Sequence, residues 1–313
     1  MTSPSPTFFS DYQKQALAGL SRSGFARFSI GRWGFEVCST GAGPAADLSC
    51  RGFWSAATES EAREAVALAN GITRNTRFSK LTVDTLDGEA VASVCISDLE
   101  CPTQFFLGGQ SLIDAIRLFM FELRKKAWSA PELGVFRRVE SGCSSTRQGL
   151  KAEDWLSSLQ RLGCCSARLE GPDIVFGDSG RTYTITLDGQ DPSYFQLDCL
   201  DFLTLDDSVE QEAAAYRAAN EVNRFSGEAK VLVCRQRKSV SLSFQALCPC
   251  TISAVPALIE RSRAEIDEAA DEFFFLLSMN FMRARSRVRL SYGDRAGMRS
   301  NRGLEPASSQ SAR

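Results

Sequence analysis

The stretch LANGITRNTRFSKLTV, from Leu68, returns as AANEVNRFSGEAKVLV, from Ala218, at a constant spacing of 150 positions. Asn70 falls on Asn220, Ile72 on Val222, Arg74 on Arg224, Lys80 on Lys230 and Val83 on Val233. A chain that repeats itself at this distance is expected to fold as two like modules, each of ordinary domain size. Just upstream, TESE from Thr58 and SVEQ from Ser208 keep the same spacing. Each pairs a hydroxyl with Glu61 or Gln211 three residues later, the pattern of a capping box. The alanine-rich runs behind them predict helices, with Asn70 and Asn220 as expected C-caps beside Gly71 and Asn223.

Period-two alternation then predicts a pair of strands in each copy. In the first copy Leu81 and Val83 precede an Asp87-Gly88 turn, and Ala90, Ala92, Val94 and Ile96 return. In the second, Val231 and Val233 precede the charged turn RQRK, and Val240, Leu242, Phe244 and Ala246 return. A long helix closes each copy, with the Ile113 and Ile266 positions now 153 apart. An amphipathic helix and three short strands open each copy. DIVFGD and RTYTITLD compete for one strand of the second. The expected class is α+β: two tandem α-β-β-β-α-β-β-α modules, each an antiparallel sheet packed by helices, the pair forming an intramolecular pseudo-dimer. The expected boundaries are 1–128 and 151–282 for the modules, 129–150 for a linker and 283–313 for a basic tail.

Composition removes several classes of chemistry. The chain has no histidine. Ser-His-Asp and Cys-His mechanisms and histidine-ligated metals are therefore excluded. Its 11 cysteines include no C-x-x-C; they read as reduced, mostly buried thiols, and Cys248 and Cys250 are the pair to consider for redox sensing. Phosphate-binding glycine motifs are absent. Neither an enzyme nor a cofactor is expected. The first residues carry no basic n-region, and the most apolar run, Phe273–Met282, is too short to span a bilayer. The expected location is cytoplasmic, away from membranes. The net charge of -2 hides an asymmetry: eight arginines against two acids from Arg283 onward give +6, and residues 1–282 carry -8.

The element order, N-x-[IV]-N-R at Asn220–Arg224 and the hairpin after it resemble the YbjN domain, of the type III secretion chaperone-like fold group. The resemblance covers residues 8–128 and 151–282 and is carried best by Trp155–Leu277. The first copy departs from it: Thr73 stands where Asn223 stands, and no glycine matches Gly227. The resemblance carries over no catalytic residues. It implies protein partners, dimer-like assembly and, for some members of the group, holding a client segment unfolded. YbjN-type proteins are assigned a regulatory role.

Three groups of residues remain as candidates. Arg74, Arg224, Lys80 and Lys230 either grip an acidic partner segment or are solvated strand-end charges. Phe273, Phe274, Phe275 and Phe281 cover most sides of one helix. They are either core or an interface with the sister module, another copy or a client. Arg283, Arg285, Arg287 and Arg289, interleaved with Tyr292, suit nucleic acid, although the acidic body opposes a polyanion. The same stretch also reads as a solubilising tail or as a continuation of the last helix. Three functions follow from these groups: a noncatalytic protein-binding module, a regulator contacting nucleic acid through the tail, or a structural homo-oligomer.

Overall fold

The computed structural model describes residues 6–30, 33–40, 45–126, 128, 150–187, 194–247 and 251–300. For residues 6–8, 187 and 282–300 it describes the backbone alone. The expected linker, 129–150, lies outside the described residues except for Leu150, as do Cys248, Cys250 and residues 301–313.

The first half runs α1 (Pro6–Ser23), β1 (Phe25–Ile30), β2 (Trp33–Ser39), β3 (Ala46–Cys50), α2 (Glu59–Asn75), β4 (Lys80–Val83), β5 (Ala90–Ile96) and α3 (Pro102–Lys125). The second runs α4 (Ala152–Arg161), β6 (Arg168–Glu170), β7 (Asp173–Asp178), β8 (Arg181–Leu187), β9 (Tyr194–Thr204), α5 (Val209–Phe225), β10 (Ala229–Cys234), β11 (Ser239–Leu247) and α6 (Val255–Ser300). The fold is α+β with two sheets, ordered β1-β2-β3-β5-β4 and β10-β11-β9-β8-β7-β6. Every strand pair is antiparallel.

The local signals act as their chemistry requires. Thr58 Oγ1 accepts from the Glu61 N–H at 3.2 Å, while the Glu61 carboxylate takes the Ala57 N–H at 2.8 Å. Ser208 and Gln211 repeat this arrangement with the Asp206 N–H. Gly24 and Gly163 follow the front helices at φ +68° and +84°, where a side chain is strained. Pro102 opens α3 at its first turn, where the missing N–H costs nothing.

Each half buries its own core between the sheet and its helices. Phe28 and Phe35 stack at 5.5 Å in the first half, and Trp155 and Phe195 at 5.1 Å in the second. Tyr216 on α5 packs against both cores, which places it at the junction of the halves.

The structure corrects three expectations. The second half has four strands before α5, because DIVFGD and RTYTITL pair with each other as β7 and β8 instead of competing for one place. Neither Asn70 nor Asn220 ends a helix. Helix α2 continues to Asn75 and α5 to Phe225, and Gly71 lacks the positive φ of a helix-ending glycine. The stretch from residue 283, expected as a tail, takes helical backbone through Ser300 as part of α6. Arg, Ala, Leu and Met favour this and no proline interrupts it.

Close packing of α1 on β1 depends on Gly19. A Cβ there would lie 2.5 Å from Ala26 Cβ and 3.0 Å from its Cα. Backbone must move to admit it, so Gly19→Ala is expected to cost about 1–3 kcal/mol, read as a lower midpoint in urea unfolding with an unchanged m-value.

Candidate functional site

Strands β4 and β10 stand at the edges of their sheets. An edge strand carries backbone groups that no neighbouring strand satisfies. Here side chains from helices satisfy them, one from the same half and one from the other. Within the first half Thr73 Oγ1 accepts from the Leu81 N–H at 2.8 Å and donates to its carbonyl at 3.1 Å. In the second half Asn223 does the same for Val231, at 2.7 and 2.9 Å. The next position along each edge is taken across the seam. Asn220 Oδ1 accepts from the Val83 N–H at 2.9 Å, and its Nδ2 donates to the Val83 carbonyl at 2.7 Å. Reciprocally, Asn70 accepts from the Val233 N–H and donates to the Val231 carbonyl, both at 3.1 Å. A carboxamide presents one acceptor and one donor side by side, so it stands in for the missing strand.

The repeated lysines work the same seam. Lys80 Nζ donates to the carbonyls of Ser226 and Gly227 and to Ser226 Oγ, at 2.7, 2.5 and 2.8 Å, closing the C-terminal end of α5. Lys230 Nζ donates to the Thr73 and Thr76 carbonyls, at 3.3 and 2.8 Å, and to Gln245 Oε1, closing the end of α2. A cation at a helix C-terminus meets the negative end of the dipole. Arg224 pairs with Asp84 at 2.5 Å, and Arg74 donates to the Val233 carbonyl at 2.7 Å. Burial alone pushes the Asp84 carboxyl up, but the Leu86 N–H and the Arg224 guanidinium bring it below its usual range.

Three of these four cations, Lys80, Lys230 and Arg224, correct the reading as solvated strand-end charges. They spend their donors on the opposite half, apart from the one Lys230 gives Gln245, because a helix end and an edge strand buried together must be satisfied there. Arg74 alone among the four is both engaged and exposed. Of the aromatic group, Phe273 is fully buried in the second core, Phe281 is half-buried, and Phe274 and Phe275 stay 41% and 63% exposed. The side chains of Arg283, Arg285, Arg287 and Arg289 lie outside the described residues.

Sequence reasoning missed the acid at the centre of the seam. Glu228 accepts from Ser97 Oγ of the first half, and Arg261 Nη2 approaches its other oxygen to 3.0 Å. The Glu228 and Ala229 N–H groups bind Glu265. Repetition could not flag Glu228, whose counterpart at the 150 spacing is Phe78. Burial raises its carboxyl to about 7, with Arg261 and Ser97 opposing. Burial also lowers the Lys80 ammonium to about 8, against the pull of Cys95, Glu265, Asp47 and Glu228. Among the described residues no group of three or more Cys, Asp or Glu could hold a metal ion, and no helix is long and apolar enough to cross a membrane.

Two outcomes follow. Asn220→Ala strips the Val83 N–H and carbonyl of their partners inside a buried seam. It is expected to cost about 1–3 kcal/mol for each group left unsatisfied, and chemical denaturation measures the loss. The second concerns pH. Between about 4.5 and 7 the folded chain holds a proton on Glu228 that the unfolded chain has released. The stability this group contributes is complete below 4.5 and is lost as pH rises through 7. The melting temperature of Glu228→Gln, relative to the wild type, is therefore expected to climb between pH 5 and 7.5.

No protein-family model matches the chain, and no curated protein sequence matches it, so the reading of its function rests on the seam and on the surfaces around it.

Proposed function

We propose that the chain is a noncatalytic protein-binding module, a chaperone-like or regulatory adaptor of the kind that the YbjN resemblance implies, with its two halves acting as a built-in dimer. The observation that carries this reading is the pair of exposed aromatic rings on α6. Phe274 and Phe275 project from a helix whose opposite side, through Ile266, Ala270 and Phe273, is fully buried. Phe274 packs edge-on against Phe202 at 5.5 Å, which anchors its ring while leaving it open to solvent. The spacing of 153 that carries Ile113 onto Ile266 carries Phe121 onto Phe274, and Phe121 on α3 is 54% exposed. An aromatic ring at matching positions of both halves supports a contact surface, since rings anchor protein interfaces at low entropic cost.

The seam supports the noncatalytic part of the reading. Three of the four cations that recur in the sequence, Lys80, Lys230 and Arg224, are turned inward on backbone carbonyls and Asp84. A cytoplasmic location belongs to the same proposal, supported by the eight described cysteines, including the neighbours Cys164 and Cys165, which are free thiols.

The test is a pull-down with the full chain from nuclease-treated lysate, comparing wild type with Phe274→Ser/Phe275→Ser. One protein retained near stoichiometry by the wild type and lost by the variant, at an unchanged melting temperature, is the expected result. Retained material that disappears with nuclease overturns the reading in favour of nucleic acid.

A further inference from the structure

Helix α6 segregates its charge along its length. Five acids and no base lie between Glu265 and Glu272, and four arginines and no acid lie between Arg283 and Arg289. The ten residues between these blocks, from Phe273 to Met282, carry no charge. The sign of the charge therefore reverses across an aromatic centre, within one continuous helical backbone.

The outward side of the helix has a period of its own. Ala264, Glu268, Asp271, Phe275 and Ser278 follow one another at alternating steps of four and three, and all five are exposed. The opposite side, through Ile266, Ala270 and Phe273, is buried. Met282, Arg285 and Arg289 continue the four-three spacing along the same backbone. The stripe runs for more than three heptads, about 38 Å at a rise of 1.5 Å per residue. This is the spacing by which one helix lies along another.

The charges on the stripe say what the other helix is. Glu265 is used within its own half, accepting from the Glu228 and Ala229 N–H groups, and Asp267 pairs with Arg181. Among the described residues no cation pairs with Glu268 or Asp271. Burial raises the Glu272 carboxyl, and Glu268 and Glu221 raise it further, as acids do where no cation answers them. The answering cations stand on the same stripe, two turns beyond its centre. Ser278 lies midway between Asp271 and Arg285, so a second α6 laid antiparallel brings base to acid at both ends. A parallel second helix would set acid on acid and arginine on arginine, which is repulsive. Ser278 suits the axis of such a pair. It is small, which lets two helices approach closely. Its hydroxyl donates to the Phe275 carbonyl at 2.7 Å, so covering it orphans no donor.

We propose that α6 is the contact between two copies of this chain, packed antiparallel about a two-fold axis at Ser278, with Glu268 and Asp271 of each copy against Arg285 and Arg289 of the other and Phe275 near the centre. The inference rests on the protein-binding reading and names the occupant of the Phe274 and Phe275 surface. The contact is isologous, the form that closes at two copies and builds no filament. It joins whole chains, whereas the seam joins the halves within one.

The experiment is sedimentation velocity with the full chain over a range of concentrations. The wild type is expected to pass from monomer to dimer as concentration rises. Asp271→Arg and Arg285→Asp, each alone, are expected to weaken the dimer at least about tenfold, because like charges then meet at both ends. Mixing these two variants is expected to restore the dimer, since each supplies the charge that the other lacks, and this rescue also shows that both are folded. Phe275→Ser is expected to weaken the wild-type dimer and the mixed pair alike. A wild type that stays monomeric at every concentration, a dimer unmoved by either charge reversal, or variants that fail to pair on mixing at unchanged melting temperatures overturns the proposal. The pull-down separates that result from the fate of the protein-binding reading: a monomeric wild type that retains a different protein through Phe274 and Phe275 overturns the second copy alone.

Discussion

An open sheet edge governs this molecule. Strands β4 and β10 each end a sheet with backbone groups facing outward, and such an edge either finds a partner or invites another chain. The solution here is four short polar side chains, Thr73, Asn220, Asn223 and Asn70, set two to an edge. Each edge takes one from its own half and one from the other. Covering the edges and joining the halves are thus a single event. Because a buried donor without its acceptor is costly, the seam tolerates one register: sliding α2 along β10 by a residue would orphan groups on both sides.

The charges in the seam add selectivity more than strength. Burying Lys80 and Lys230 costs desolvation, which apolar side chains would not pay. Each ammonium nevertheless has three acceptors waiting, and those acceptors include the carbonyls at the ends of α2 and α5. Removing a lysine would leave a helix end buried without donors. The arrangement is polar throughout, yet Tyr216 touches both cores, so the junction combines a specific polar pattern with continuous packing.

Much of this was legible in the residues. The capping boxes at Thr58 and Ser208, the hairpins and the front-helix stops at Gly24 and Gly163 follow from local chemistry, and local chemistry is what sequence records. The matched Asn, Arg and Lys positions were legible as important, but not as to where they point. Asn70 reads as a C-cap because asparagine tolerates such sites; only the approach of β10, distant by 161 positions, makes it an edge cover. Gln245 and Glu228 left no trace at all. Their counterparts at the 150 spacing are Cys95 and Phe78, so the features that differ between the halves, the amide that receives Lys230 and the buried acid, are those that repetition cannot reveal.

The reciprocal covering also has a history in time. Strand β4 is complete once Val83 has been made, yet the asparagine that covers it lies 137 residues further on. At ordinary rates of synthesis that interval is on the order of ten seconds. Through most of it, once β5 has paired with β4, the outer margin of β4 waits without its cover. Fusing the halves ensures that the cover arrives tethered to the margin it must close, and a version split into separate chains would have to find it by diffusion.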